Sequence, residues 1–555
     1  MSRNKDSISK VIKRRAWIIF SCSIVAYSFL IYRLSTIQIL EADKYKEKAA
    51  MQSIQKVDLN SGRGIIYDRN SKPLTDTVKE QIMIVEKESF INDSEIRSLV
   101  EECSKMKVKD IYLNIEKQLN SSVFEIKVEN LSDEMKKKLL EKNIIVEEKT
   151  LRYSSQGLLS HTIGHIKNSD KSGQSGIEKS MDDVLKKSNE KYVSAFKAGA
   201  SGNTQDLSIL KGSIKTVNKV ENAKHIKLTI DKNIQKNIEK IVDKEENPTA
   251  VVVSDVDTGE VLSMSSRPDF DQKNVFEYNK SKNGELVNRA IQSIYPPGSV
   301  FKIVVLYAAL EEGVIDESYT YNCTGKTKVG KDGEVLNCHK KEGHGIQTLQ
   351  QAFSNSCNTA FFDIAQKVGE DKIIECAKKL KLDERVDIGL EEEKSREIPT
   401  DIPIRNLAIG QGSLGFTPLQ INQMTQIIAN NGTYKPLYLY DSIVDNNKNI
   451  IKSFRSSKKE DIISPYTITI VKELMKGVSK DGTGKNLKDI NGGCGVKTGT
   501  AQSVSNGKDV NHGWITGFYP EERPKYAITV LVEGTEQKSK PALPIFKEIC
   551  MELSK

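Results

Sequence analysis

YPPGSVFKIVVLYAALEEG, Tyr295–Gly313, is the stretch on which the reading of this chain turns. Pro296, Pro297 and Gly298 punctuate, and an uninterrupted apolar helix pattern follows. Ser299 therefore falls at a helix start. Lys302 lies three residues on, on the same face. A serine hydroxyl needs a base to act as a nucleophile near neutral pH. A lysine serves if burial lowers its pKa. The helix start also offers backbone N–H groups and a positive dipole end to a developing oxyanion. The expectation is a Ser299 nucleophile with Lys302 as its base.

Ser-x-x-Lys alone does not identify a site. It recurs at Ser53–Lys56, Ser194–Lys197, Ser208–Lys211 and Ser456–Lys459, where solvated surface is the plain reading. Two downstream elements add weight. Ser356-Cys357-Asn358 lies in the helix-like run LQQAFSNSCNTAFFDIAQKVG, Leu349–Gly369, although Ser-x-Asn also occurs at Ser281–Asn283. Lys497-Thr498-Gly499-Thr500, in GGCGVKTGTAQS, holds the only Lys-Thr-Gly of the chain. A cation and hydroxyls on a strand suit a substrate carboxylate. Gly499 is expected to let backbone approach a ligand closely.

Around these motifs the pattern is mixed. HIKLTIDKNIQKNIEKIV (His225–Val242) reads as strand then amphipathic helix. AVVVSDVDTGEVLSMSS (Ala250–Ser266) reads as a hairpin about Asp257-Thr258-Gly259. YAITVLVEG (Tyr526–Gly534) is a late strand, and helices fill the middle. Strands from both ends predict one sheet flanked by helices, an α+β fold over 221–555 with no further module expected after it. Residues 41–220 are expected to form a small, polar α+β pedestal. There SGRGIIYDRNSKPL (Ser61–Leu74) reads as strand and turn, and Ser132 as a helix cap.

The chain has 555 residues, too many for one ordinary domain, and 37% hydrophobic content is enough for a core. The net charge of +8 is uneven. Six bases and one acid in residues 1–15 supply +5, leaving a near-neutral remainder, so a nucleic-acid binder is not expected. Ala16–Tyr32 (AWIIFSCSIVAYSFLIY) carries no charge, and Leu34–Leu40 can extend it. With no small-x-small cleavage site after it, residues 16–40 read as a membrane-spanning signal anchor. The basic flank, 1–15, is then a cytoplasmic tail, and the rest lies outside.

The three motifs resemble the set shared by penicillin-binding proteins and serine β-lactamases. Further boxes resemble class B penicillin-binding proteins, of elongation or sporulation type. These are Arg63, Gly64, Asp68, Arg69 and Asn70; GQSGIE, Gly173–Glu178; Gly410-Gln411-Gly412; Thr417-Pro418-Leu419-Gln420; and Ala429–Gly432. The resemblance implies a D,D-transpeptidase that cross-links peptidoglycan stem peptides and is blocked by β-lactams. It implies that Ser299 attacks the D-Ala-D-Ala carbonyl and Lys302 takes its proton. Ser356 would relay a proton to the leaving D-Ala and Asn358 hold the substrate amide. Lys497 and Thr498 would position the site and the terminal carboxylate, and the N–H groups of Ser299 and Thr500 would form the oxyanion hole. A glycan polymerase of the shape, elongation, division and sporulation family is the implied membrane partner, met through the anchor and 41–220.

Rival functions are a β-lactam sensor or hydrolase, a D,D-carboxypeptidase, and a non-catalytic cell-wall scaffold. A sensor is expected to carry a cytoplasmic output domain, for which fifteen residues leave no room. Cys357 stands where many β-lactamases have Asp, and no Glu-x-x-Leu-Asn follows, so fast hydrolysis is not expected.

Cys323, Cys338, His344 and Cys357 fall within 35 residues, three thiolates and an imidazole suited to a tetrahedral zinc. His339 is a rival imidazole. A Cys323–Cys338 disulfide or unpaired thiols are the other readings. Gly343–Gly345 (GHG) resembles the elongation-type subgroup, some of whose members hold zinc. No organic cofactor is expected.

Overall fold

The computed structural model describes residues 17, 20–21, 23–36, 41 and 54–555, apart from 119–120, 155–156, 187, 200–206, 210–214, 220–221, 330–333, 506–507 and 536–540. The chain forms two compact units: residues 1–60, 79–149 and 190–219, and residues 61–78, 150–189 and 220–555.

In the first unit, strands Val78–Glu86, Val123–Val128 and Ile145–Leu151 form a sheet. Helices Ser94–Ser104, Val108–Lys117 and Asp133–Glu141 accompany it, with Met83, Phe90, Leu99, Ile111 and Phe124 among the core. Ser132 caps the last of these helices by accepting from the Met135 N–H, as its sequence predicts. A second sheet pairs Ile54–Asp58 with Glu190–Gly199.

The larger unit is organised by the sheet that the sequence predicts from the chain's two ends. Its elements are α1 (Lys232–Val242), β1 (Thr249–Asp255), β2 (Val261–Arg267), α2 (Lys302–Glu311), α3 (Leu349–Ser354), α4 (Asn358–Val368), α5 (Pro418–Ala429), α6 (Pro465–Asp481), β3 (Gly495–Ser505), β4 (Lys508–Tyr519), β5 (Tyr526–Thr535) and α7 (Ala542–Leu553). The five strands run antiparallel in the order β2-β1-β5-β4-β3.

Period-two alternation assigns the two faces. On one face Ser254, Thr529 and Thr516 meet α5. There Asn422 accepts from the Ser254 hydroxyl at 2.6 Å and donates to the Val252 and Ala527 carbonyls, both at 3.1 Å. On the other face Ser263 and Ser265 meet α1 through Gln235. Every residue of α5 is buried, so its polar residues must be bonded, and Asn422, Gln423 and Gln426 all are. Thr417 and Gln420 cap α5 reciprocally, and Gln420 also donates to the Leu382 and Glu384 carbonyls.

Two divisions differ from the sequence reading. Residues 61–78 and 150–189, assigned on sequence to the 41–220 pedestal, fold with the larger unit. Ile66–Tyr67 pairs parallel with His225–Leu228. The Arg63 and Gly173–Glu178 boxes also meet there, in a buried ion cluster. Arg63 bonds Glu178 at 2.9 Å and Asp182 at 2.7 Å, while Arg152 bonds Glu178 at 2.7 Å and Asp76 at 2.5 Å. Secondly, the run 349–369 is not one helix. It breaks at Asn355–Cys357, where Ser356 is left-handed at φ 54°.

The predicted anchor lies partly outside the described residues. Where described, residues 17–35 are helical and their large apolar side chains, from Trp17 to Leu34, are exposed. No helix among the described residues is long and apolar enough to cross a membrane.

Candidate active site and metal cluster

Ser299 occupies a 3-10 turn, Gly298–Phe301, that leads into α2. The preceding prolines are pinned: Trp514 donates its indole N–H to the Pro296 carbonyl at 2.9 Å. Gly298 has φ 53° and donates its N–H to the Gly410 carbonyl at 2.9 Å. A Cβ on Gly410 would stand 2.1 Å from the Gly298 carbonyl, and one on Gly298 would stand 2.7 Å from the Thr500 carbonyl. The Gly410-Gln411-Gly412 box thus seats the turn against β3. Gly499 does likewise. Its missing side chain leaves room for the Pro297 carbonyl at 3.0 Å and for Val300, so the space expected for a ligand goes to the nucleophile turn.

Lys302 is fully buried. Its Nζ donates to the Ser356 carbonyl at 2.7 Å, the Ser356 hydroxyl at 3.1 Å and Asn358 Oδ1 at 2.8 Å. Burial pushes its pKa down to about 7, against the opposing pull of Cys357 and Cys338. Among the described residues, no carboxylate lies within ion-pair distance of it. Lys497, also fully buried, donates to the same Ser356 hydroxyl at 3.1 Å from the β3 side and to the Thr498 carbonyl at 2.9 Å. The two cations lie over the rings of Phe361 and Phe353, at 5.5 and 5.6 Å from the centroids. The left-handed Ser356 is what turns one hydroxyl toward both lysines. Within the described residues the Ser299 hydroxyl makes no hydrogen bond, which leaves it available for attack.

Lys302, Ser356, Asn358 and Lys497 therefore form one bonded group. Ser299 is held one turn before Lys302, and Gly499 and Thr500 pack on its turn. Thr500 is exposed on β3, which among the described residues is an edge strand paired on one side. Thr498 contacts Thr483, hydroxyl to hydroxyl, at 2.6 Å. Sequence reading missed Thr483 because Gly482-Thr483-Gly484 looks like an ordinary turn.

Cys323, Cys338, His344 and Cys357 also come together, with ligand atoms all within 4.8 Å of one another. The Cys338 and Cys357 sulfurs are 3.8 Å apart, and His344 Nδ1 is 3.6 Å from Cys338. A tetrahedral ion with Zn–S of ~2.3 Å and Zn–N of ~2.0–2.1 Å requires S···S of ~3.8 Å and S···N of ~3.6 Å. The donor set fits zinc. All described cysteines are free thiols, so the expected alternative of a Cys323–Cys338 disulfide is not formed here. The hydrogen bond between the two sulfurs pushes Cys338 down to about 6 and Cys357 up to about 11. Thr359 donates to Cys323 at 3.2 Å. The rival His339 is exposed, with its Nδ1 3.9 Å from Cys338, and lies outside the group of four.

Comparison with known proteins gives a consistent result. A family model described as penicillin binding protein transpeptidase domain matches residues 249–551, and one described as penicillin-binding protein dimerisation domain matches 58–208. Stage V sporulation protein D of Bacillus subtilis is 27% identical, over 94% of this chain and 82% of its own length. Peptidoglycan D,D-transpeptidase MrdA of Escherichia coli is 27% identical, over 96% and 93%. A solved structure, penicillin-binding protein PBP2 from Helicobacter pylori, superposes with a TM-score of 0.67 at 23% identity, covering 90% of this chain and 99% of that one.

Proposed function

The chain belongs to the penicillin-binding protein transpeptidase family, and from that premise we propose a class B serine D,D-transpeptidase that cross-links peptidoglycan stem peptides and is acylated by β-lactams. The observation that carries this is Ser356, whose hydroxyl is shared by the two buried lysines beside the Ser299 turn. Ser299 Oγ attacks the carbonyl of the penultimate D-Ala, and its proton passes to Lys302, which burial makes a competent base near pH 7. The N–H groups of Ser299 and Thr500 stabilise the oxyanion. The C–N bond then breaks. The departing D-Ala amine takes the proton from Lys302 through the Ser356 hydroxyl. Asn358 holds the substrate amide, and Lys497 and Thr498 bind the terminal carboxylate. The amine of a second stem peptide attacks the Ser299 ester and gives a proton to Lys302; the C–O bond breaks, Ser299 Oγ takes that proton back, and the cross-linked product leaves.

Purified chain given a D-Ala-D-Ala donor and an amine acceptor is expected to release D-Ala and form the cross-linked peptide, and Ser299→Ala to form neither. D-Ala release without cross-linking would point to a carboxypeptidase. Rapid penicillin turnover would point to a hydrolase. No Ser299-dependent product would leave a scaffold.

Cys323, Cys338, His344 and Cys357 are proposed to hold a structural zinc, which would supply no chemistry but would brace Cys357 between Ser356 and Asn358. Metal analysis is expected to find one zinc per chain. A metal-free protein with Cys323 and Cys338 oxidised together refutes it.

The proposed location is the bacterial cell membrane, spanned once by residues 16–40, with the N-terminus cytoplasmic and both units outside. The exposed apolar helix, flanked by six bases, supports this. The 41–220 region, of which 61–78 and 150–189 fold with the larger unit, is proposed to supply the pedestal or dimerisation part, which together with the anchor meets a membrane glycan polymerase.

A further inference from the structure

A cavity of about 90 Å³ opens in the larger unit, between the Gly173–Glu178 box and the turn that precedes Tyr295. Phe270, Asn288, Ile291 and His161 are buried in its wall. Half-buried His165 and Glu392 line it with the exposed Leu286, and mark its rim. The Asn288 amide is oriented by the backbone, because its Oδ1 accepts from the Ala290 N–H at 3.2 Å. Its Nδ2, in a residue only 4% exposed, is buried with no hydrogen-bond partner among the described residues. Glu392 is used on one side only. Its Oε1 accepts from the Gly176 N–H at 2.8 Å, whereas Oε2 is buried without a partner among the described residues. Buried polar atoms are nearly always bonded, so an unmatched donor and an unmatched acceptor on one cavity require an explanation. His161 adds an acceptor: its Nε2 bonds the Glu285 carbonyl at 2.6 Å and so carries the proton, which leaves a lone pair on Nδ1. The wall turn is fixed at both ends, by the Leu419 N–H on the Ala290 carbonyl at 3.1 Å and the Lys394 N–H on the Ile291 carbonyl at 2.9 Å.

We propose that this cavity is a second binding site, apart from the Ser299 site, for the acetamido group of an N-acetylated sugar in the glycan strand. The glycan as source rests on the peptidoglycan reading above; the acetamido chemistry rests on the cavity. An ammonium ion would satisfy Glu392 but has no acceptor for the Asn288 N–H, and a carboxylate would satisfy Asn288 but has no donor for Glu392. A secondary amide has both, a carbonyl for Asn288 Nδ2 and an N–H for Glu392 Oε2. Its methyl then meets the apolar wall of Phe270, Ile291 and Leu286. The cavity is larger than the ~30 Å³ share of one water but has no room for chain on both sides of an amide, so it takes an end group. An acetamido group is such an end.

The test is saturation-transfer NMR on the full chain, with the β-1,4-linked dimer of N-acetylglucosamine as probe. Transfer is expected to be strongest at the acetyl methyl, and absent for the same dimer without its acetyl groups. Glu392→Gln keeps the acceptor for Gly176 but presents N–H in place of the second oxygen, and is expected to weaken binding about tenfold or more. Leu286→Trp, at an exposed rim position, is expected to abolish the transfer with Tm unchanged. Transfer that survives both substitutions would put the sugar elsewhere and overturn the inference, as would equal transfer to the deacetylated dimer or no transfer at all. N-acetylalanine competing more strongly than the dimer would make the source a peptide and overturn the glycan assignment. If Glu392→Gln lowers Tm, Leu286→Trp decides alone, and a retained signal overturns the inference. The readout does not pass through Ser299, so the two failures separate. A wild type that binds the dimer but is not acylated at Ser299 by a penicillin loses the transpeptidase reading and keeps the acetamido site. A wild type that is acylated but does not bind the dimer loses the site alone.

Discussion

Two of the places where the larger unit buries charge treat it in opposite ways. At the Arg63–Glu178–Arg152 cluster every cation faces carboxylates. Glu178, with no exposed side-chain surface, is bonded by both arginines and by the Tyr153 hydroxyl at 3.0 Å. Burial opposes the Arg152 charge, yet Glu178 and Asp76 hold its pKa above the ordinary value. At the catalytic group Lys302 is equally buried but, among the described residues, its hydrogen bonds go to hydroxyl, carbonyl and amide oxygens and to no carboxylate, and its pKa falls to about 7. The lesson is that burial alone does not make a charge reactive. Burial with opposite charges fixes a scaffold; burial without them leaves a proton that can move.

Changing each region in turn tests this contrast. The largest effect is expected for Lys302→Met. Penicillin acylation should fall by about 10³-fold or more, the range of a lost general base. Its Tm should be unchanged or higher, because a buried cation without a counter-charge is removed. A Tm several degrees lower would show that Lys302 is structural. Next is Glu178→Ala, which strands two buried arginines. Denaturant unfolding should show a loss of about 3–5 kcal/mol, with the acylation rate of the folded fraction close to wild type. A stable variant, or one that folds but does not acylate, would erase the distinction between the two sites. The smallest effect is on pH. Lys302 must be neutral to accept the Ser299 proton, and its folded pKa lies below the ordinary 10.5, at about 7. Acylation should therefore rise about tenfold per unit below pH 7 and level off above it. A rate still climbing at pH 9 would mean that the lysine is not depressed.

The two regions were also unequally legible in the sequence. Ser299, Lys302 and Lys497 could be named because chain order, a Pro-Pro-Gly entry and a unique Lys-Thr-Gly converge. The hairpin at Asp257–Gly259 and the sheet from both chain ends follow from period-two patterns that local chemistry controls. The role of the Arg63 box did not emerge, because its partner Glu178 lies 115 residues away, and no periodicity links them. The break at Ser356 was hidden within helix-compatible residues. Its left-handed backbone is imposed by what surrounds it, including two lysines from distant elements. Thr483 was missed for the same reason, since a turn becomes a site only when tertiary contacts put Thr498 beside it. The four zinc-type ligands were legible as residues; the exclusion of His339 came from its exposure.

The central claim is that Ser299 is the acyl acceptor in a site powered by a buried lysine that has no carboxylate partner among the described residues. Its most direct test is intact-mass analysis with peptide mapping after incubation with a penicillin. The account predicts a stoichiometric adduct on the peptide that holds Ser299, retained for many minutes, and none in Ser299→Ala. An adduct on another residue, or one that persists in Ser299→Ala, would contradict it.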